Sequence, residues 1–117
     1  MRVLLTGAGG RVGGAVLDGL GDDDHYEWRL LFHSPPAEPV DHEHLVGDVT
    51  DAATVEAAVE GVDAVIHLAG DPRPEAPWDS VLRNNIDGTR LLLDRAVEAG
   101  VERFVFASSN HAVGHYE

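Results

Sequence analysis

The most constraining feature of this sequence is a glycine-rich turn between a short apolar segment and an amphipathic one. Residues 2–6 form an apolar run that is typical of a buried strand. Residues 11–20 carry their apolar side chains at helical spacing, and the turn Gly7-Ala8-Gly9-Gly10 joins the two segments. Glycines in this position let a strand turn sharply into a helix and let a ligand approach the backbone. The pattern predicts the first unit of a parallel α/β sheet.

The rest of the chain continues the alternation of strands and helices. We expect strands at residues 2–6, 28–32, 44–46, 63–68 and 102–107. We expect helices at residues 11–20, 51–59 and 78–99, the second of them capped by Thr50. Near-continuous apolar strands separated mostly by helices favour a parallel sheet that is covered on both faces. Right-handed crossovers then give an α/β fold of the Rossmann type, a doubly wound sheet with strand order 3-2-1-4-5, in one domain over residues 1–117. A ligand is expected beyond the carboxyl ends of strands 1 and 4.

Charge and composition exclude several classes of function. The chain has 21 acidic residues against 8 arginines, contains no lysine, and has a formal net charge of −13. This charge opposes nucleic acid or an anionic membrane as a partner and is typical of the acidic surface of halophilic proteins. The absence of cysteine excludes disulfides and zinc-thiolate sites. The sequence has no apolar run long enough for a membrane span or a signal peptide, so the cytoplasm is the expected compartment.

The spacing of the glycines identifies the chemistry of the turn. Gly7, Gly10 and Gly13 fit G-x-x-G-x-x-G, in which the first glycine turns the chain, the second admits a pyrophosphate, and the third lets the helix pack against the strand. The backbone N–H groups of Arg11 and Val12 would then face the anion, with the helix dipole behind them. The motif predicts a dinucleotide site for NAD(P). A glycine-rich turn without a ligand is the alternative.

Five motifs in order along the chain together resemble those of a known family. They are TGxxGxxG, GDVTD after strand 3, HLAG after strand 4, NNIDGT in the long helix and FVFASSN after strand 5. The sequence is similar to the N-terminal part of the extended short-chain dehydrogenases/reductases, also called the NAD-dependent epimerase/dehydratase family. The run SSNHAVGHY looks most like the uronate dehydrogenase branch. The resemblance implies hydride transfer between NAD(P) and a sugar or uronic acid.

The resemblance also implies roles for individual residues around the cofactor. Asp48 and Val49 would contact the adenine, and Asn85 would order the active site. The ribose side of the pocket would be lined by three residues after strand 4: Leu68, Ala69 and Gly70. An aspartate that starts a helix or turn is the alternative interpretation of Asp48, and an asparagine that faces solvent is that of Asn85.

The substrate end is implied by the last motif. Ser109 would be the catalytic serine that hydrogen-bonds the reacting oxygen, and Asn110 and His111 would contact a sugar-type substrate. A turn-forming Ser-Ser-Asn is the alternative. Among the other histidines, His67 is expected to be a pocket wall. Surface positions are expected for four more: His25, His42, His44 and His115. Their spacing predicts no metal site.

Two departures from the family pattern leave the function of the chain open. NAD enzymes place an acid about 20 residues after the glycines, whereas His33 and Ser34 stand there, so NAD and NADP are both retained as cofactors. The family chemistry also needs a Tyr-x-x-x-Lys pair, and the sequence contains no lysine. We therefore expect the cofactor-binding part of an enzyme. A non-catalytic regulatory module, or a half-enzyme completed by a partner chain, is the alternative, and a homodimer is left open.

Overall fold

The computed structural model describes residues 1–69 and 77–107. Its strands form one parallel sheet with the order β3-β2-β1-β4-β5, as predicted. The strands are β1 (Arg2–Thr6), β2 (Glu27–Phe32), β3 (Glu43–Val46), β4 (Ala64–His67) and β5 (Arg103–Phe106). The helices are α1 (Arg11–Leu20), α2 (Ala52–Val59), α3 (Trp78–Ser80) and α4 (Gly88–Glu98), with a π-helical segment (Val81–Asp87) between the last two.

The sheet is packed on both faces because neighbouring residues of a strand point to opposite sides. Leu4 belongs to a core cluster with residues of α2 and α4, and Leu5 belongs to a second cluster against which α1 packs. The same division separates Leu31 from Leu30 in β2. These alternating apolar residues place helices on both faces, and the parallel pairing of the strands brings their carboxyl ends to one edge.

The start of α2 differs from the prediction by one residue. Thr50 was expected to cap this helix, but Asp51 is the N-cap, and its carboxylate accepts hydrogen bonds from the N–H and the hydroxyl of Thr54 at 3.1 and 2.6 Å. The Thr50 hydroxyl instead donates to Asp48 at 2.8 Å. The prediction that Thr50 caps α2 is therefore wrong, because the Thr50 hydroxyl is hydrogen-bonded to the preceding Asp48.

The carboxyl end of α2 is held by a buried arginine of the sheet. The Arg29 guanidinium donates to the carbonyls of Ala58 and Glu60 at 2.8 and 2.7 Å, and also pairs with Glu43 at 3.0 Å. The positive charge lies where the helix leaves carbonyl groups without partners. The chain then leaves the helix through Gly61, whose φ of 73° is in the left-handed region.

The long predicted helix is not uniform. Residues 81–87 are π-helical, with the N–H of Gly88 bonded to the carbonyl of Arg83. The Thr89 hydroxyl donates to the carbonyl of Asn85 at 2.6 Å, which competes with regular helical bonding. Such π segments are rare and occur frequently at functional sites. The prediction of a single regular helix over 78–99 is corrected accordingly.

Within the described part of the chain, no helix is both long and apolar enough to cross a membrane. Strand β5 forms one edge of the sheet, and its side chains Val105 and Phe106 are half exposed.

Candidate functional site

A cleft of about 1100 Å³ lies beyond the carboxyl ends of β1 and β2 and beside those of β3 and β4. This is the edge at which a doubly wound sheet is expected to bind its ligand. Most of the residues predicted to bind the cofactor line the cleft: Gly7, Gly10, Arg11, Val12, Gly13, Asp48, Val49, Leu68 and Ala69. The topology therefore brings together residues that are up to 62 positions apart in the sequence.

The three motif glycines have separate structural roles. Gly7 has a φ of 68°, and a Cβ there would lie 2.7 Å from the backbone carbon of Leu68. A Cβ at Gly13 would lie 2.4 Å from the carbonyl oxygen of Gly7, so this glycine lets α1 pack directly on the turn. Gly10 is exposed, and a Cβ there would make one close contact, 3.3 Å from the Gly7 carbonyl oxygen, far less severe than the overlaps at Gly7 and Gly13. Its missing side chain leaves space on the side of the cleft.

The amino terminus of α1 is suited to an anion. Gly10 is the N-cap and offers no side chain to the helix, and the first turn contains no acidic residue. The first N–H groups of a helix have no acceptor within it and carry the positive end of its dipole. Arg11, at the first helical position, is exposed beside the cleft. This end of the cleft can therefore hold a pyrophosphate.

Asp48 occupies the far side of the cleft with an ordered carboxylate. Its Oδ1 accepts the N–H and the hydroxyl of Thr50 at 2.9 and 2.8 Å, and its Oδ2 lies 3.5 Å from Arg83 and 3.9 Å from His33. Partial burial raises the pKa of Asp48, but the Thr50 hydrogen bonds and the two nearby basic groups outweigh it and hold the pKa below its usual value. The ionised carboxylate can accept hydrogen bonds from a ligand.

The wall opposite the glycine turn consists of the backbone of Leu68 and Ala69. Their N–H groups both donate to the Thr6 hydroxyl oxygen, at 3.0 and 3.1 Å. Thr6 is the last residue of β1 and is fully buried. The end of β1 thus fixes both the start of the glycine turn and the chain that faces it.

His67 does not line the cleft as expected. It is fully buried behind the wall, with Nδ1 2.6 Å from the Thr6 hydroxyl and Nε2 2.9 Å from the Thr89 hydroxyl. Burial lowers its pKa to about 4, so the imidazole is neutral at physiological pH. The prediction that His67 forms a pocket wall is wrong, because its side chain lies in the protein interior, where it is hydrogen-bonded to the hydroxyls of Thr6 and Thr89.

The helical asparagines and the chain after β2 complete the lining. Asn84, in the π-helical segment, lines the cleft, whereas Asn85 is not among the lining residues and its assignment stays a prediction. His33 and Ser34 also line it and are exposed. Sequence reasoning missed Asn84, and the Asn-Asn pair in the sequence was the available signal.

Several predicted residues lie outside the described part of the structure: Gly70, Ser109, Asn110, His111 and His115. Of the remaining surface histidines, His25 and His44 are exposed and His42 is partly buried. Within residues 1–69 and 77–107, no group of three or more histidine or acidic side chains could hold a metal ion.

The sheet order, the glycine turn and the cleft define a Rossmann-type α/β protein. The family model for the NAD dependent epimerase/dehydratase family matches residues 3–117. The chain belongs to this family, which confirms the resemblance found in the sequence.

Its relatives include sugar dehydrogenases. An NAD-dependent glucose-6-phosphate dehydrogenase from Haloferax volcanii is 63% identical over 98% of this chain, and a uronate dehydrogenase from Pseudomonas syringae is 40% identical over 99%. A variant uronate dehydrogenase from Agrobacterium tumefaciens, solved in complex with NAD, is 40% identical over 94% of the chain with a TM-score of 0.81. The likeness to uronate dehydrogenases is confirmed, and the Haloferax enzyme is more similar in sequence. The chain spans 45%, 42% and 41% of these three proteins, respectively.

Proposed function

We propose that this chain is the NAD(P)-binding part of a sugar oxidoreductase whose reaction is hydride transfer between NAD(P) and a sugar or uronic acid. The observation that carries the proposal is the cleft between the glycine turn, Asp48 and the Leu68–Ala69 wall. Three walls from three different strands converge there, and each offers chemistry that suits one part of a dinucleotide. The relative named as an NAD-dependent glucose-6-phosphate dehydrogenase and the uronate dehydrogenase solved with NAD support the same assignment.

The proposed binding mode follows from the chemistry of each wall. The amino terminus of α1 binds the pyrophosphate through backbone N–H groups, and Gly10 provides the space for it. Asp48 accepts hydrogen bonds at the adenine end, beside the apolar side chain of Val49. Leu68 and Ala69 pack along the ribose. The bound nicotinamide would supply the hydride chemistry.

At the substrate end, the proposal assigns Ser109 to the reacting oxygen and Asn110 and His111 to the sugar, as the family resemblance implies. Asn85 is assigned to ordering the active site. A partner chain or further sequence would have to supply the Tyr-x-x-x-Lys pair, because this chain contains no lysine. The cytoplasmic location and a homodimer belong to the same proposal, and cell fractionation and light scattering test them.

The choice between NAD and NADP depends on the chain after β2. His33 and Ser34 are neutral or weakly basic where NAD enzymes carry an acid. The chain after β2 therefore lacks the carboxylate that in such enzymes would repel a 2′-phosphate. We propose that both cofactors bind, and that the preference for NAD over NADP is weaker than in an enzyme with the acid.

Calorimetric titration of the chain with NAD and with NADP tests the proposal. The wild type should bind both. Gly10→Val should weaken binding at least about tenfold, because its side chain would occupy the space proposed for the pyrophosphate. Gly14→Ala is the matched control: it adds a carbon to the same helix with nothing within 4 Å and should bind as the wild type does. Unchanged affinity in a folded Gly10→Val protein would contradict the assignment.

A further inference from the structure

The hydrogen-bonded chain Thr6–His67–Thr89 runs from the cleft wall to the π-helical segment and has only one consistent arrangement of protons. Thr6 Oγ1 lies within hydrogen-bond distance of three groups: the N–H of Leu68, the N–H of Ala69 and Nδ1 of His67. The two backbone N–H groups can only donate, and they occupy both lone pairs of the hydroxyl oxygen. The Thr6 proton must therefore go to His67, which requires Nδ1 to be without a proton.

The other side of the imidazole follows from this. A neutral histidine that accepts at Nδ1 carries its proton on Nε2. This nitrogen lies 2.9 Å from the Thr89 hydroxyl oxygen, to which it would donate its proton. Thr89 in turn donates to the carbonyl of Asn85 at 2.6 Å. Every donor in the chain then has one acceptor, and the direction runs from the cleft wall to the π-helical segment.

One end of this hydrogen-bonded chain is part of the cleft, and the other end is next to it. Leu68 and Ala69 line it directly, and their backbone lies so close to Gly7 that a Cβ there would be 2.7 to 2.9 Å away. A small movement of this wall would therefore press on the glycine turn. At the other end, Asn85 is adjacent to Asn84, which lines the cleft from the irregular part of the helix.

We propose that His67, as the neutral Nε2–H tautomer, is a positioning residue that fixes the Leu68–Ala69 wall through Thr6 and the asparagine segment through Thr89. Its side chain is fully buried and does not line the cleft. A protonated imidazole would place a second N–H against the Thr6 hydroxyl, whose acceptor positions are already filled. The hydrogen bond between His67 and Thr6 would then be lost. The expected effect on cofactor affinity rests on the proposed function, but the tautomer and the order of the wall do not.

The first measurement is ¹⁵N NMR of the free protein with labelled histidine. We expect the Nδ1 signal of His67 to be that of an unprotonated nitrogen and the Nε2 signal to be that of an N–H, unchanged between pH 6 and 8. A packing role alone would not select one tautomer. A proton on Nδ1, or a charged ring at pH 7, would overturn the proposal.

The second measurement compares Thr6→Val with Thr6→Ser. Valine keeps the shape but removes the acceptor of both wall N–H groups, whereas serine keeps the hydroxyl. Hydrogen exchange at Leu68 and Ala69 should accelerate about tenfold in Thr6→Val and stay near the wild-type rate in Thr6→Ser. Equal exchange in the two folded variants would refute the positioning role. If Thr6→Val does not fold, Thr89→Val tests the hydrogen bond between His67 Nε2 and Thr89. An unchanged His67 Nε2 signal in Thr89→Val would refute the positioning role.

The third measurement is NAD affinity by calorimetry. Thr6→Val should bind about tenfold more weakly, and Thr6→Ser within about twofold of the wild type. Wild-type affinity in Thr6→Val would refute the effect on the cofactor. No binding by the wild type would instead refute the proposed function, and the exchange rates would still decide whether the wall is positioned by Thr6.

Discussion

Two adjacent glycines in α1 provide a sharp test of how closely this helix packs on the turn before it. Gly13 and Gly14 lie in the same helix, one residue apart, but their surroundings differ completely. A Cβ at Gly13 would lie 2.4 Å from the Gly7 carbonyl oxygen and 2.9 Å from the Ala8 Cα, and a Cβ at Gly14 would meet nothing within 4 Å. Alanine should therefore have opposite effects at the two positions.

The size of each effect follows from two terms. An alanine in a helix is favoured over glycine by about 1 kcal/mol, and this gain applies to both variants. Relieving the overlap at Gly13 would require the helix and the turn to separate by about 1 Å, and overpacking of this kind costs up to about 3 kcal/mol. Gly13→Ala should thus lose about 2 kcal/mol of stability, and Gly14→Ala should gain nearly 1 kcal/mol.

Thermal and urea unfolding followed by circular dichroism would measure both changes. For a chain of this size, 1 kcal/mol corresponds to about 4 °C in Tm. We expect Tm to fall by about 8 °C in Gly13→Ala and to rise by about 4 °C in Gly14→Ala. A Gly13→Ala protein as stable as the wild type would refute the close approach of α1 to Gly7. An equal loss in Gly14→Ala would show that the overlap is not the cause.

Three further predictions concern charge and burial. The pKa of His67 is about 4 in the folded protein and 6.5 in the unfolded chain, so its contribution to the free energy of unfolding is complete above pH 6.5 and is lost as the pH falls towards 4. Urea unfolding should show this loss, which is at most about 3 kcal/mol. The variant His67→Gln should have a weaker dependence of stability on pH over this range. Arg29→Met should lower the free energy of unfolding by about 2 kcal/mol, because the carbonyls at the end of α2 lose their donor. Arg2→Ala removes the exposed ion pair with Glu27 and should change the free energy of unfolding by less than about 1 kcal/mol. Comparable losses in the two variants would contradict the role of burial. Because the chain carries a formal net charge of −13, Tm should rise from low to molar salt, and a flat calorimetric curve would refute self-repulsion as the dominant effect.

The sheet was predictable because its determinants are local. Each strand is a short apolar run that ends at glycine or polar residues, and the right-handed crossover rule then leaves few strand orders. The glycine turn was predictable for the same reason, since Gly7, Gly10 and Gly13 need only the strand before them and the helix after them. The boundaries differ from the predicted ones mostly by a residue or two.

The features that sequence reasoning missed depend on particular side-chain hydrogen bonds, of which only that of His67 joins distant segments. Thr50 and Asp51 are both good N-cap residues, and the carboxylate of Asp48 decides between them. The inward position of His67 depends on Thr6, 61 positions away. In the π-helical region, the Thr89 hydroxyl bonds the carbonyl of Asn85, and such side-chain bonding competes with regular helical bonding. None of these has a periodic signal.

The hydrogen bonds from the N–H groups of Leu68 and Ala69 to the Thr6 hydroxyl affect both the rate and the free energy of ligand binding. Because Leu68 and Ala69 are already ordered in the free protein, a ligand would not have to freeze this part of its site. These residues lose their conformational entropy when the protein folds and not when the ligand binds. The association rate then depends on diffusional encounter and orientation more than on rearrangement of the Leu68–Ala69 wall. The stability of the domain and the speed of ligand capture would therefore depend on the same hydroxyl group.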